Sequence, residues 1–148
     1  MEFNKLFEKE FFIQSMCSGK YLQINEASQE NSAGLNQYTF NGNQNQIFII
    51  TPRGNGFYSI RAKHSGKYLD VESGALYDGA RLIQNSYHGR DNQLFYFNEV
   101  YPGVFHILCK HSGKAVDVDY GSCYNGVNII QWTLHGRANQ QFKLIPVK

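Results

Sequence analysis

Few side chains in this 148-residue chain suit covalent or metal chemistry: Cys17, Cys109, Cys123 and five histidines. The cysteines are odd in number and form no CxxC pair, so no disulfide framework is expected, with one bridge left open. No HExxH, no GxxxxGK[ST] phosphate loop and no GxSxG elbow occurs. The acids that stand out recur at repeated loop positions and not as the facing pair that a glycosidase needs. The expectation is therefore a non-enzyme with no cofactor and no metal. The excess lies elsewhere, in Asn, Gln and Gly and in aromatics, which make up 15% of the residues. An amide both donates and accepts a hydrogen bond, and an aromatic face covers apolar C–H groups. On a background of net charge +2, with no stripe of charge, that mixture suits neutral polar ligands and disfavours nucleic acid. The longest clean apolar run, residues 47–50, is far too short to insert into a membrane.

The elements that must carry these groups follow from a repeat. Ser18-Gly19-Lys20 returns as Ser65-Gly66-Lys67 and Ser112-Gly113-Lys114, each step being 47 residues. Asn45-Gln46, Asn92-Gln93 and Asn139-Gln140, each two residues before a closing Phe, keep the same step, as do Gln37, Gln84 and Gln131. The copies run over about 8–53, 54–101 and 102–148, within one domain spanning 1–148. Phe11/Ile13/Ser15, Tyr58/Ile60/Ala62 and Phe105/Ile107/Cys109 alternate with more polar neighbours, the period of a half-buried strand. Each Ser-Gly-Lys falls where a hairpin should turn, with glycine supplying the unusual backbone angle. Four short strands per copy predict about twelve, and no stretch has sustained helical spacing. Apolar triples such as Ile13/Ile60/Ile107 and Leu22/Leu69/Val116 suit layers around a pseudo-threefold axis. Closure around that axis hides strand edges. The expected fold is all-β, a β-trefoil.

Ser65-Gly66-Lys67-Tyr68-Leu69-Asp70-Val71 and the run from Gln131-Trp132 to Gln141-Phe142 resemble the ricin B-chain-type, or QxW, β-trefoil lectins, across all three copies. The resemblance implies sites built from an early Asp, an aromatic about fifteen residues on, and the Asn of the closing Asn-Gln pair. An ionised carboxylate accepts bonds from two neighbouring hydroxyls, with charge assistance. The third copy matches with Asp117, Trp132 and Asn139, with Asn125 expected on the loop floor, His135 beside the pocket and Gln140 helping Asn139 indirectly. Ile130 stands where relatives often place Gln. The second copy keeps Asp70, Asp78, Asn92 and His88, but has Asn85 at the position of Trp132, so Tyr87 or His88 would have to reach over. The first keeps Tyr38 and Asn45, with Gln23 in place of the carboxylate. The closing Gln46, Gln93 and Gln140 read mainly as buried structural amides, and the family's closing Trp is Phe here. His64 and His111 are equivalents matched by Cys17, and Cys123 matches Leu76 and Gln29 on a loop. Equivalent residues sit on different lobes, so these groups are not expected to converge on a metal.

The implied function is a multivalent lectin and hemagglutinin for terminal galactose or N-acetylgalactosamine, its partners glycans on cell surfaces. The alternative is a protein-binding trefoil, a protease inhibitor or toxin-complex scaffold. Regular loop spacing counts against a long inhibitory loop. The acid-bearing N-terminal stretch lacks a signal-peptide pattern, so a cytoplasmic or non-classically released chain is expected.

Overall fold

The computed structural model describes residues 9–148, and the N-terminal segment read for an export signal, residues 1–8, lies outside them. Twelve strands and no α-helix occur among the described residues. The first copy forms β1 (Lys9–Ser15), β2 (Tyr21–Ile24), β3 (Leu35–Tyr38) and β4 (Phe48–Gly54). The second forms β5 (Phe57–Ala62), β6 (Tyr68–Val71), β7 (Leu82–Asn85) and β8 (Phe95–Tyr101). The third forms β9 (Val104–Cys109), β10 (Ala115–Val118), β11 (Ile129–Trp132) and β12 (Phe142–Pro146).

Six strands pair antiparallel in a ring that returns to its start: β1 with β4, β5, β8, β9, β12 and β1 again. The barrel so closed leaves no open edge in that layer. The other six make three hairpins, β2–β3, β6–β7 and β10–β11. Single bridges join them as a cap: Gly34 to Ile83, Asn36 to Asn128 and Arg81 to Ile130. This is the expected β-trefoil. The predicted apolar triples fill one core, with the closing Phe48, Phe95 and Phe142 fully buried. Truncating any one of these rings to Ala would cost about 3–5 kcal/mol.

The repeated motifs have separable jobs. Gly19, Gly66 and Gly113 sit at φ of +73°, +72° and +71°, with no atom within 4 Å of where a Cβ would stand. Backbone angle, and not space, calls for glycine there. The serine before each donates to the buried Gln37, Gln84 or Gln131 at 2.7, 2.8 and 2.9 Å. The other end of each glutamine donates to two carbonyls of a different copy. Gln37 holds Ser122 and Tyr124, Gln84 holds Ser28 and Glu30, and Gln131 holds Ala75 and Tyr77. His64 and His111 bond the same loops through Ser28 O and Ala75 O, at 2.8 and 2.7 Å. Each copy's loop is thereby fastened onto the next lobe.

Candidate functional site

The β10–β11 hairpin sets Asp117 opposite Ile130 and Ala115 opposite Trp132. The indole stands at the hairpin's end and is 41% exposed, whereas Asp117 is only 3% exposed. A short 3-10 turn, Ala138–Gln140, brings two amides to the carboxylate. Asn139 Nδ2 donates to Asp117 Oδ1 at 3.0 Å and to Val118 O at 3.3 Å. Gln140 Nε2 donates to Asp117 Oδ2 at 2.9 Å. Asp117, Trp132, His135 and Asn139 line one groove of about 580 Å³, together with Gly79, Asp119, Tyr120, Gly121, Ile130 and Arg137.

Burial pushes the Asp117 carboxyl above its ordinary value, against the pull of the Gln140 bond, the nearby His135 and the Asn139 bond. His135 Nδ1 accepts the Arg137 amide at 3.0 Å, so the neutral ring carries its proton on Nε2. That nitrogen lies 3.6 Å from Asp117 Oδ2. Each carboxylate oxygen therefore takes one amide hydrogen bond and keeps a lone pair for a further donor.

The second lobe repeats the frame with a different outcome. Asp70, 1% exposed, accepts Asn92 on Oδ1 at 2.9 Å. Its Oδ2 meets three nitrogens: Gln93 at 3.1 Å, His88 at 3.1 Å and Asn85 at 3.4 Å. Asn85, at the position of Trp132, thus turns its own amide onto the carboxylate. His88 does reach the carboxylate, whereas Tyr87 packs on Tyr68, the residue paired with Asn85. Its ring lies 4.6 Å from that of Tyr68, beneath the Arg53 guanidinium at 4.8 Å. In the first lobe Gln46 Nε2 donates to Gln23 Oε1 at 3.3 Å, and Asn45 is buried, bonded to Ile24 O at 3.1 Å. Tyr38 is the exposed member, and Gln23 stands where the other two lobes have their aspartate.

Three placements differ from the sequence reading. Asn125 is not in the third-lobe groove: its Oδ1 accepts Thr39 N at 2.9 Å and Thr39 Oγ1 at 3.2 Å, in the first lobe. Asp78 belongs with the third lobe, not the second, accepting Thr133 N at 2.8 Å and Lys114 Nζ at 3.2 Å. Asn31 takes the corresponding place in the second lobe, bonded to Ser86 N at 3.0 Å. The cause is the glutamine clamp, which carries each loop across a seam. The Asp78 carboxyl sits below its ordinary value: slight desolvation raises it, but the bonds from Lys114 and Thr133 outweigh that. Third, Gln140 is the buried amide expected from the sequence, but it acts on Asp117 directly and not through Asn139, donating to Oδ2 and so positioning the carboxylate. Its Oε1 holds the His135 and Gly136 amides at 2.9 and 3.1 Å.

Tyr120 was absent from the sequence-level site, yet it lines the groove, 95% exposed and at φ of +56°. The available signal was comparative: its counterparts Glu26 and Ser73 also have positive φ, but neither is aromatic.

Residues 3–85 and 91–148 match the family described as ricin-type beta-trefoil lectin domain-like. The chain belongs to that family. No curated protein is similar enough in sequence to count as a match. Among solved structures, the lectin-like chain is similar to ThreeFoil, a designed 3-fold symmetric protein, at 38% identity and TM-score 0.92. That match covers 93% of this chain and 99% of the design. It is also similar to 1,3Gal43A, an exo-beta-1,3-galactanase from Clostridium thermocellum, at 34% identity and TM-score 0.92. Here 94% of this chain corresponds to only 30% of the enzyme. A ricin B-like lectin from Macrolepiota procera, solved with lactose, shares the fold at 18% identity and TM-score 0.79, covering 94% of this chain and 96% of that one.

Proposed function

We propose that this domain is a non-catalytic carbohydrate-binding module whose principal site is the third-lobe groove. The observation that carries this reading is the exposed indole of Trp132 beside a buried carboxylate with spare acceptor capacity. Asp117 accepts two hydroxyls of one pyranose, and charge assistance strengthens both bonds. Trp132 covers the apolar C–H face of the ring. Asn139 spends its amide hydrogens on Asp117 and Val118, which leaves Oδ1 to accept a third hydroxyl. His135 Nε2 offers a donor at the rim. Terminal galactose or N-acetylgalactosamine is the first choice of ligand. Relatives solved with lactose and with GalNAc support that choice, as does a relative that is an exo-beta-1,3-galactanase.

One shallow site of this kind binds weakly, and a dissociation constant of roughly 1 mM corresponds to about 4 kcal/mol. Binding to glycan-bearing cell surfaces and agglutination then require a second working lobe or several copies of the chain. Retention on immobilised galactose or lactose, with elution by free sugar, tests the reading. Folded wild-type protein in the flow-through of both columns and silent on a broad glycan array would overturn it.

A further inference from the structure

The three seams between lobes are not closed alike. At two of them a histidine reaches the next loop, His64 to Ser28 O and His111 to Ala75 O. At the third seam the equivalent residue is Cys17, and no hydrogen bond joins it to the corresponding Ser122 carbonyl. The loop residue opposite also changes. Gln29 Nε2 donates to His64 O at 3.0 Å, and in the matching place Cys123 Sγ approaches Cys17 O at 3.8 Å. A thiol therefore stands on both sides of this seam. Cys123 is exposed and Cys17 half-buried, its Sγ 3.2 Å from Ser15 Oγ, while Cys109 is buried on its own.

We propose that Cys17 and Cys123 are the site of a reversible disulfide that fastens the third copy's loop to the first lobe. A peroxide is the oxidant. The exposed Cys123, as its thiolate, attacks one peroxide oxygen, giving a sulfenic acid as the O–O bond breaks and one water leaves after proton uptake. The Cys17 sulfur then attacks the sulfenic sulfur, the S–S bond forms and the second water departs. Two thiols are oxidised by two electrons, and one hydrogen peroxide is reduced to two waters. Cys123 Sγ already lies against the Cys17 backbone, 3.8 Å from its carbonyl oxygen. Desolvation raises the Cys17 thiol, against the Ser15 bond, and nearby Cys123 raises it further, which suits Cys17 as the second and not the first nucleophile. Cys109 stays out, its thiol pushed up to about 12 by burial.

The cross-link would join positions 106 residues apart and tie the first copy to the third. A closure of that length restricts the unfolded chain strongly. It would also steady the loop carrying Asn125, which supports Thr39 beside Tyr38. The test is mild peroxide treatment of the reduced folded protein, followed by thiol titration, intact mass, peptide mapping and thermal melting. The expected result is a fall from three free thiols to one, loss of two hydrogens from the monomer, and a Cys17–Cys123 peptide. The melting temperature should rise by on the order of 5 °C and fall back with reductant. C123S, at an exposed position, should lose all of these changes, and C109S should keep them. Higher oxides at Cys123, a disulfide between molecules, or a cross-link formed only after unfolding would each overturn the proposal. None of these readouts depends on whether the groove binds sugar.

Discussion

The second and third lobes share a buried aspartate, an Asn-Gln pair and a His-Gly-Arg loop, yet they present different surfaces. Around Asp117 the hairpin ends in an indole, and both carboxylate oxygens keep room for a donor. Around Asp70 the same strand position is Asn85, and Oδ2 is crowded by three nitrogens of the protein itself. An unpaired buried carboxylate is costly. Without the aromatic wall, the second lobe satisfies the charge internally. The difference teaches that the repeated Asp-Asn pair is only a frame, and that the residue at the hairpin's end decides how many of the protein's own donors the carboxylate takes up.

The largest effect should come from Asp117→Ala, which removes the charged acceptor. Sugar affinity should fall roughly 100-fold or more, while Asp70→Ala changes it little. Isothermal titration on both variants measures the contrast, and equal losses would erase the distinction between lobes. The reverse experiment is Asn85→Trp, which withdraws the amide from Asp70 and adds a platform. Binding to a dense glycan surface should rise on the order of tenfold through a second site. Surface plasmon resonance at two glycan densities reads this.

Acid should silence the third lobe early. Because burial raises the Asp117 carboxyl, binding should fade as pH drops through a value above the ordinary 3.8. Stability runs the other way for this group. Its folded value exceeds its unfolded one, so its contribution is fullest below 3.8 and is lost as pH rises through the raised value. Trp132 is the chain's one tryptophan, so its fluorescence reports the groove directly against a pH series with and without sugar.

A smaller effect is expected from Asp78→Ala, which unties Thr133 next to Trp132 from across the seam. Affinity at the third lobe should weaken by about threefold to tenfold, from lost positioning and not lost contact. The matching Asn125→Ala change should leave third-lobe titrations unmoved. Smallest is Tyr120→Ala, expected to cost roughly threefold with an oligosaccharide and less with a monosaccharide, as a stacking contact at the rim.

Much of this was legible in the chain. The 47-residue step of Ser-Gly-Lys and Asn-Gln, with alternating apolar strands, determined twelve strands, three copies and closure. The family resemblance could point to Asp117, Trp132 and Asn139 because they lie within one copy, on adjacent strands and the turn that follows. What spacing could not reveal was which lobe a loop leans on. Asp78 and Asn125 crossed seams because buried Gln131 and Gln37 must satisfy their amides, and the nearest carbonyls belong to another copy's loop. Whether an aspartate stays available was likewise hidden, since Asp70 and Asp117 differ in hydrogen-bond saturation and not in position. Local pattern dictates strands and turns, because those depend on neighbours in sequence. The tertiary fold decides acceptor capacity and loop partnership, because those depend on which polar groups meet across the barrel's seams.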